Sequence, residues 1–473
     1  MEDQRLKTKI VWSLDHLTMD SIHKQDFSQL GIDVLRIVYG RGNRDEIGNF
    51  LKSLHSSTKN MLAPAIMVDV SHYLHSKLSH VNISPEVQYE QVLTLSSQAK
   101  QGDLSVECHD WATSFGKDSN IYIGFGAVVL KTLSVTAKEV KAQVVQGGTL
   151  RAGMNVFDAH TYKEPTVFDL TGVDISPFKN LPVDYVVIPG ISKVREVSVI
   201  RKKLNILKSD PWLIVRVDNK TVYENLEELL PHIDGVMIPR RELALSMDPA
   251  LVPIVCKEIM QICHEKAKIA MIESDLLASM RFNPTPTRAE VSDIANAVID
   301  GTDAIVLSED LALGPYVDRA LKACRNIIGD IETKDNVLVN WMSRDFIAST
   351  EFEAVAFHAY KTAERVKAKA IVCITRHGNT ALRLASFRSQ FPIIAVTFSI
   401  QTQKRLSLVR GVHSLLLDID PSIDEVLPQV KEKLGSYSWL KQGDSIVFIT
   451  VTLSPVALEA SNLLTVQHIG EPS

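Results

Sequence analysis

The chain has 473 residues, of which 45% are hydrophobic and 23% are charged, and its formal net charge at pH 7 is −5. This length predicts two to four domains of globular composition, and the acidic balance excludes a broadly basic surface for nucleic acid. No apolar run reaches the roughly 18 residues of a membrane span, and the opening residues MEDQRLKTK lack the apolar stretch of a signal peptide, so we expect a cytosolic protein.

Five cysteines are scattered along the chain without the CxxC spacing of a metal or redox site. They are Cys108, Cys256, Cys263, Cys324 and Cys373. We expect them to be buried as small hydrophobic side chains in a reducing compartment.

Apolar runs and helical patterns alternate over the first 70 residues. The predicted strands are Lys9–Leu14, Val34–Tyr39 and Leu62–Asp69, and the predicted helices are Ser21–Leu30 and Asp45–Leu54. From about residue 70 to residue 181 the pattern changes to short alternating runs with Gly and Asn turns, which is typical of an all-β insertion.

The alternation of strands and helices returns at Val183. Five further apolar runs follow, and helical segments separate them: VDYVVIP, WLIVRVD, DGVMIP, KIAMIES and TDAIVLS. Eight strands alternating with helices predict a (β/α)8 barrel, and a doubly wound sheet fits this strand count less well. Polar residues at the carboxyl ends of these strands are candidates for ligand binding, because the sites of such barrels lie at that face.

The last of these units has the clearest signals. Thr287 and Glu290 have the T-x-x-E spacing of a capping box, which predicts a helix start. An apolar stripe then runs through Ala289–Asp300, and Gly301 suits a left-handed helix stop. A short apolar strand from Asp303 to Leu307 follows and ends in polar residues.

A charged stretch, IETKDN, marks another boundary after about Asp330. The helix Phe352–Val366 and the strand runs AIVCIT, PIIAVT, SLLLDI and SIVFIT then predict a separate α/β domain of about 140 residues. The segment Thr375–Thr380 lies between a strand and a helix, where backbone N–H groups can face an anion. An ordinary connection fits this segment equally well.

The run PTRAE followed by SDIANAVIDGTDAIVLS closely resembles the pyruvate kinase family. The resemblance implies a (β/α)8 TIM barrel from residues 1–70 and 182–330, an inserted β-barrel lid domain at 71–181 and a C-terminal α/β regulatory-type domain at 331–473. It also implies transfer of a phosphoryl group from phosphoenolpyruvate to ADP, which yields pyruvate and ATP in the last step of glycolysis. The family uses Mg²⁺ or Mn²⁺ together with K⁺, and a tetramer is its expected assembly.

The resemblance assigns residues to the phosphoryl chemistry. Arg36 aligns with the arginine that contacts the transferred group, and an arginine paired inside the barrel is the alternative. Arg216 replaces the lysine that stabilises this group and the enolate, so a planar fork replaces a point charge. Ser274 keeps the hydroxyl that orients the proton-donating water, which makes Arg216 and Ser274 the predicted catalytic residues. Arg240 completes the predicted substrate-binding set.

Asp218 and Glu242 stand where the family has a metal-binding glutamate and a metal-binding aspartate. Because one carboxylate is shorter and the other is longer, we predict that Mg²⁺ or Mn²⁺ binding is retained at a shifted site. The alternative is that both carboxylates pair with Arg216 and Arg240 in an ion network.

Other positions of the family pattern are altered. Val38 and Gly40 replace the asparagine and serine of the potassium site, and neither side chain offers oxygen to a hard cation. Asp69 survives as a residual ligand, so we predict that the K⁺ site is lost. The lid run Tyr122–Gly126 lacks two family aspartates, and Glu273–Asp275 stands where the family reads Ala-Thr-Gln.

Two functional interpretations follow from this pattern. The first is a pyruvate kinase of low or altered activity. The second is a catalytically inactive relative that acts as a metabolite-binding or regulatory oligomer partner of an active paralogue. The expected small-molecule partners are phosphoenolpyruvate or pyruvate and ADP or ATP, without nucleic acid or membrane, in a homotetramer or a hetero-oligomer.

Overall fold

A computed structural model describes the greater part of the chain. The described residues are 6–14, 30–39, 44–57, 64–70, 76–98, 102–107, 115–124, 126–152, 154–158, 175–273, 276–312, 314–334, 347–417, 423–435, 437–450 and 463–469. Strands and helices are numbered in order along these residues.

The amino-terminal residues form three buried strands. They are β1 (Lys9–Leu14), β2 (Val34–Val38) and β3 (Ala65–Asp69), and helix α1 (Arg44–Ser57) connects β2 to β3. All three strands are buried along their whole length, as their mainly apolar runs predict. The predicted helix Ser21–Leu30 lies outside the described residues except for its last residue.

A separate β-barrel follows, which confirms the predicted all-β insertion. Its strands are β4 (Ser76–Val81), β5 (Glu86–Val87), β6 (Val92–Ser96), β7 (Leu104–Glu107), β8 (Asn120–Ile123), β9 (Val128–Val135), β10 (Glu139–Gln146), β11 (Gly148–Thr149) and β12 (Asn155–Asp158). Seven of them close in the order β10-β6-β7-β4-β12-β8-β9, while β5 pairs with β11. Burial alternates along β10, so one face of the strand fills the barrel and the other meets solvent.

The chain then returns to strands separated by helices. The elements are β13 (Tyr185–Ile188), α2 (Val194–Leu204), β14 (Trp212–Arg216), α3 (Lys220–Glu224), α4 (Leu226–Leu229), β15 (Gly235–Pro239), α5 (Arg240–Ser246), α6 (Val252–Glu265), β16 (Ile269–Glu273), α7 (Arg288–Ile299), β17 (Ala304–Leu307), α8 (Glu309–Ala312) and α9 (Val317–Glu332). Short 3₁₀ turns occur at Ser176–Phe178, Leu230–His232 and Ala278–Arg281.

Eight parallel strands close into a barrel in the order β1-β17-β16-β15-β14-β13-β3-β2. The predicted (β/α)8 fold is therefore confirmed, and β13 pairs directly with β3 although the whole insertion separates them in the sequence. The order of strands places all eight carboxyl ends at one face of the barrel.

The unit around α7 follows its sequence signals closely. The Thr287 side chain accepts a hydrogen bond from the Glu290 backbone, and Glu290 reciprocates in the predicted capping box. Gly301 has φ of +80°, a left-handed conformation that glycine adopts without strain. Strand β17 begins three residues later.

The carboxyl-terminal residues form a five-stranded mixed sheet with helices. The elements are α10 (Glu351–Val366), β18 (Ala370–Ile374), α11 (Asn379–Ser386), β19 (Ile393–Thr397), α12 (Ile400–Arg405), a 3₁₀ turn at Leu406–Leu408, β20 (Val412–Leu416), α13 (Ile423–Leu434), β21 (Ser445–Thr450) and β22 (Leu463–His468). The strand order is β20-β19-β18-β21-β22, in which only β22 is antiparallel. The four parallel strands are the predicted ones, and β22 is an addition to them.

The carboxyl-terminal domain packs against the barrel. One apolar cluster contains inward residues of the barrel strands, such as Val11 and Met67, together with Ala359 and Leu384 of the carboxyl-terminal helices. The four cysteines in the described part of the chain are buried, as predicted, and none of them forms a disulfide there. No helix of the described segments is long and apolar enough to cross a membrane.

Candidate active site

Four charged side chains form one layer at the carboxyl-end mouth of the barrel. Earlier along the same strands, four apolar residues belong to the cluster inside the barrel: Val34, Met67, Ile214 and Met271. Two residues further along each strand stand Arg36, Asp69, Arg216 and Glu273. Because side chains alternate with a period of two, these charged residues share the inward direction of the apolar layer. All four are at most 9% exposed.

Arg36 is held by partners on three other strands. Its Nε and Nη2 donate to Asp69 Oδ2 at 2.8 and 2.6 Å. Its Nη1 donates to Ser13 Oγ at 2.9 Å and lies 2.5 Å from Glu273 Oε1. Burial acts to lower the pKa of Arg36, but the carboxylates of Glu273 and Asp69 outweigh it and raise the pKa, so the guanidinium stays charged.

Arg216 connects the same carboxylates to the next strands. Its Nη1 lies 2.6 Å from Glu273 Oε2 and 3.3 Å from Asp69 Oδ2, and its Nη2 donates to Glu242 Oε1 at 3.1 Å. Burial opposes the charge, yet Glu273, Glu242 and Asp69 raise the pKa of Arg216 well above its ordinary value. Arg36 and Arg216 are thus joined through two shared carboxylates.

Asp218 and Glu242 extend this cluster beyond the strand ends. Asp218 follows β14 and accepts a hydrogen bond from Asn219 Nδ2 at 2.8 Å, while Glu242 lies in the first turn of α5. Burial is the largest influence on both, and it raises the pKa of Asp218 to about 6 and that of Glu242 to about 7, although Arg216 acts in the opposite direction. The negative charges of Glu273 and Asp218 add to the upward shift of the Glu242 pKa.

The remaining predicted site residues lie differently. Arg240 pairs with Asp293 of α7 at 3.1 Å, a partly exposed ion pair beside the mouth. Ser274 lies outside the described residues, as does Gly40. Val38 is described and is only 5% exposed. The ion network proposed as an alternative is therefore present in part, because Arg216 pairs with Glu242, whereas Arg240 pairs with Asp293.

The donor set suits a hard divalent ion only in part. Asp218 and Glu242 offer carboxylate oxygens, which Mg²⁺ prefers, and Mg²⁺ is commonly held by one or two carboxylates plus substrate phosphates. Within the described ranges, no group of three or more His, Cys, Asp or Glu side chains is placed to hold a metal by itself. The arrangement therefore fits an ion that is bound jointly with a phosphorylated ligand.

Sequence reasoning did not assign a role to Glu273. It is the last residue of β16 and bridges Arg36 to Arg216 across the barrel mouth. The signal was present in the strand periodicity, because Glu273 stands two residues after Met271, which faces inward. A carboxylate at an inward strand end requires cationic partners, and the predicted arginines were available.

The fold and this cluster define a three-domain barrel protein with a buried ionisable site at the face where barrel enzymes bind their ligands. A family model for the pyruvate kinase barrel domain matches residues 5–321, and a second for the pyruvate kinase alpha/beta domain matches residues 353–466. The chain therefore belongs to the pyruvate kinase family.

Individual relatives agree with this assignment. The chain is 28% identical to a pyruvate kinase of Sporosarcina psychrophila, a match covering 98% of this chain and 81% of the relative. It is also 28% identical to a pyruvate kinase of Thermotoga maritima, with 93% and 95% covered. A solved structure of Cryptosporidium parvum pyruvate kinase in complex with ADP superposes with a TM-score of 0.82 at 20% identity, covering 99% of this chain and 97% of that one, which supports the fold.

Proposed function

We propose that this protein transfers a phosphoryl group between phosphoenolpyruvate and ADP, with activity that is low or altered relative to its family. The observation that carries the proposal is the convergence of Arg36 and Arg216, both 1% exposed, at the carboxyl-end mouth of the barrel. Phosphoryl transfer depends on cations fixed around the equatorial oxygens of the transferred group. Buried guanidinium groups provide such charge without having to reorganise during the reaction.

Each residue of the site has a separate role in the proposed reaction. Arg36 and Arg216 bind the phosphoryl oxygens, and Arg216 also faces the charge that develops on the enolate. Ser274 orients the water that delivers a proton to the enolate carbon, and Arg240 contributes positive charge at the rim. Asp69 fixes the orientation of both guanidinium groups through its Oδ2 atom.

Asp218 and Glu242 are the residues that would hold Mg²⁺ or Mn²⁺. When bound, the ion neutralises phosphate oxygens and helps to align the two substrates. Because the pKa values of these carboxyls are raised to about 6 and about 7, they are incompletely ionised near neutral pH, and ion binding has to compete with protons.

The proposal includes several properties beyond the reaction. Potassium is not required, because the Val38 side chain offers no oxygen and Asp69 is engaged by two arginines. The protein acts in the cytoplasm, and it assembles as a homotetramer or with an active paralogue. Native mass spectrometry of the purified chain distinguishes a tetramer from smaller species.

A coupled assay with phosphoenolpyruvate, ADP and Mg²⁺ or Mn²⁺, with and without K⁺, tests the proposal. We expect slow turnover that persists without K⁺, and Arg216→Met lowers kcat by at least about 10²-fold because it removes a fixed charge at the reacting group. Arg216→Lys is the matched control, since it keeps the charge as a compact ammonium group and retains measurable turnover. Strict dependence on K⁺ would contradict the proposed loss of that site.

The alternative is a non-catalytic relative that binds metabolites or regulates a partner. The observation in its favour is that Glu273 and Asp69 already occupy donor groups of both arginines. Stabilisation of the folded protein by phosphoenolpyruvate in a thermal shift experiment, without turnover in the coupled assay, would favour this second function.

A further inference from the structure

Glu273 has an unusual position among the charged residues of the barrel mouth. It belongs to β16, whereas the arginines that it contacts belong to β2 and β14, neither of which pairs with β16. Its two oxygens are divided between them, with Oε1 at 2.5 Å from Arg36 Nη1 and Oε2 at 2.6 Å from Arg216 Nη1. One carboxylate therefore spans the space between the two buried cations.

Each arginine also has hydrogen-bond partners other than this carboxylate. Without Glu273, Arg36 keeps Asp69 through Nε and Nη2 and Ser13 through Nη1. Arg216 keeps Glu242 through Nη2 and Asp69 through Nη1. Glu273 thus accepts one further N–H from each Nη1 group and adds a negative charge between the two cations.

The balance of charges around the two arginines shows how Glu273 affects the binding of an anion. The two guanidinium groups are near five carboxyl groups, which belong to Asp69, Asp218, Glu242, Glu273 and Glu309. The carboxyl groups outnumber the two guanidinium groups even without Glu273, although Asp218 and Glu242 are incompletely ionised near neutral pH. The negative charge of Glu273 makes the mouth more repulsive to an anion. The positive charges of Arg36 and Arg216 are thus already balanced by carboxylates before a negatively charged ligand binds.

A carboxylate and a phosphoryl group make the same kind of contact with guanidinium, since each presents oxygens that accept parallel N–H donors. We propose that Glu273 is an internal competitor that occupies the position of the phosphoryl group between Arg36 and Arg216, so that the resting site is autoinhibited. This inference rests on the proposed function, because it takes these arginines as the phosphoryl-binding groups. Binding of a phosphorylated ligand requires the Glu273 carboxylate to leave at least one of them.

Isothermal titration of the full-length protein with inorganic phosphate and with phosphoenolpyruvate, each with and without Mg²⁺, tests the inference. We expect Glu273→Ala to bind both ligands at least about tenfold more tightly than the unmodified protein, because a like charge and a competing acceptor are removed. Glu273→Gln keeps the size of the side chain and removes the charge, so it shows a smaller gain. If circular dichroism shows that the alanine variant does not fold, the ligand affinity of Glu273→Gln tests the inference instead.

Glu353→Gln provides a matched control. Glu353 lies 2.5 Å from Arg383 in the carboxyl-terminal domain, and its side chain is 14% exposed against 12% for Glu273. The control tests whether neutralising any buried glutamate–arginine pair changes anion binding, and we expect its affinities to equal those of the unmodified protein.

The outcomes separate the inference from the proposed function. If the unmodified protein and folded Glu273 variants bind phosphoenolpyruvate equally well, or the variants bind it less well, the inference is overturned and the proposed function stands. If none of them binds either ligand, the assignment of Arg36 and Arg216 as phosphoryl-binding residues is overturned together with the inference. Tighter binding by both Glu273 variants supports the inference even where no turnover is detected.

Discussion

At the scale of single residues, the mouth of the barrel is a network of buried charges. Desolvation of Arg36, Arg216 and their carboxylates is unfavourable, and their mutual attraction offsets it only while each group keeps its partners. Such a network is weak evidence for stability. Its value is that it fixes the orientation of charged groups, which transfer chemistry requires.

Glu242 allows the energetic cost of this network to be measured. Its pKa is raised to about 7, mainly by burial, whereas in the unfolded chain it ionises near its ordinary value of about 4.5. The folded state therefore binds the proton more tightly, so this group's contribution to stability is greatest below the unfolded pKa and declines as pH rises towards the folded pKa. Glu242→Gln cannot ionise, and we expect its stability relative to the unmodified protein to increase between pH 5 and pH 8 by up to about 3 kcal/mol.

Urea denaturation of both proteins at several pH values measures this difference, with Glu353→Gln as the comparison. Glu353 has a lowered pKa, because hydrogen bonds from Ser349 and the charge of Arg383 outweigh the effect of burial. The stabilising contribution of Glu353 is lost only as pH falls below about 4.5, so the stability of Glu353→Gln relative to the unmodified protein stays nearly constant between pH 5 and pH 8. A Glu242→Gln variant that becomes least stable relative to the unmodified protein at pH 8 would mean that the ion pair with Arg216 is net stabilising.

The sequence predicted some of these residues better than others. Family resemblance and strand position assigned Arg36, Arg216, Asp218, Glu242 and Asp69 to the mouth, and the structure brings the two arginines together through Asp69. The sequence could not reveal which carboxylate oxygen pairs with which guanidinium nitrogen. Those pairings depend on closure of the barrel and on the side-chain rotamers of residues from several strands.

At the scale of elements, Glu290 links two pieces of the chain. Besides capping α7 with Thr287, its carboxylate accepts hydrogen bonds from the backbone N–H and the hydroxyl of Ser279, at 2.7 and 2.5 Å. Ser279 lies in the 3₁₀ turn Ala278–Arg281, which follows β16. These hydrogen bonds lower the pKa of Glu290 although burial acts to raise it. One carboxylate thus joins the start of a helix to the turn after a barrel strand.

This dual role predicts unequal effects of two substitutions in the same capping box. Thr287→Ala removes one cap and is expected to cost about 1 kcal/mol. Glu290→Ala also releases Ser279 and is expected to cost about 2–3 kcal/mol, because hydrogen bonds to a charged acceptor contribute more. Guanidinium denaturation midpoints of the two variants provide the measurement. Equal losses would show that the contacts with Ser279 contribute nothing to stability.

The elements differ in how well the sequence predicts them. The capping box of α7, the stop at Gly301 and the fully buried parallel strands have local signals, and their bounds agree with the structure within a few residues. Strand β22 was missed because it lies at the sheet edge, where its side chains are only partly buried and the apolar run is short. The formation of β22 depends on antiparallel pairing with β21 rather than on the hydrophobic pattern of its own residues.

At the scale of the whole molecule, ionic contacts reinforce the apolar packing between the barrel and the carboxyl-terminal domain. Arg388 donates to both oxygens of Asp303 at 2.9 and 2.8 Å and to His264 Nε2 at 3.0 Å. Asp303 also accepts hydrogen bonds from the backbone of Ala270 and of Arg410, so it joins two barrel strands to the other domain. Domain boundaries at residues 70/71, 181/182 and 330/331 remain predictions.

The same contact makes the stability of the molecule depend on pH in the direction opposite to Glu242. Burial, followed by the charges of Arg388 and Arg410, lowers the pKa of His264 well below its ordinary value. The unfolded chain binds a proton at this histidine below about pH 6.5 and the folded chain does not, so stability falls as pH drops below that value. The overall pH profile is therefore a difference between opposing contributions, which only comparisons between variants can separate.

Arg388→Met tests how far this contact couples the two domains. The substitution leaves the Asp303 carboxylate, whose side chain is 3% exposed, without its guanidinium partner, and we expect a loss of about 3–5 kcal/mol. Arg201→Met removes an arginine from an exposed pair with Asp234 and is expected to cost at most about 1 kcal/mol. Because the lost contact lies between domains, urea unfolding of Arg388→Met should separate into two transitions, with the carboxyl-terminal domain unfolding first. A single transition at the midpoint of Arg201→Met would mean that the remaining contacts are sufficient to couple the domains.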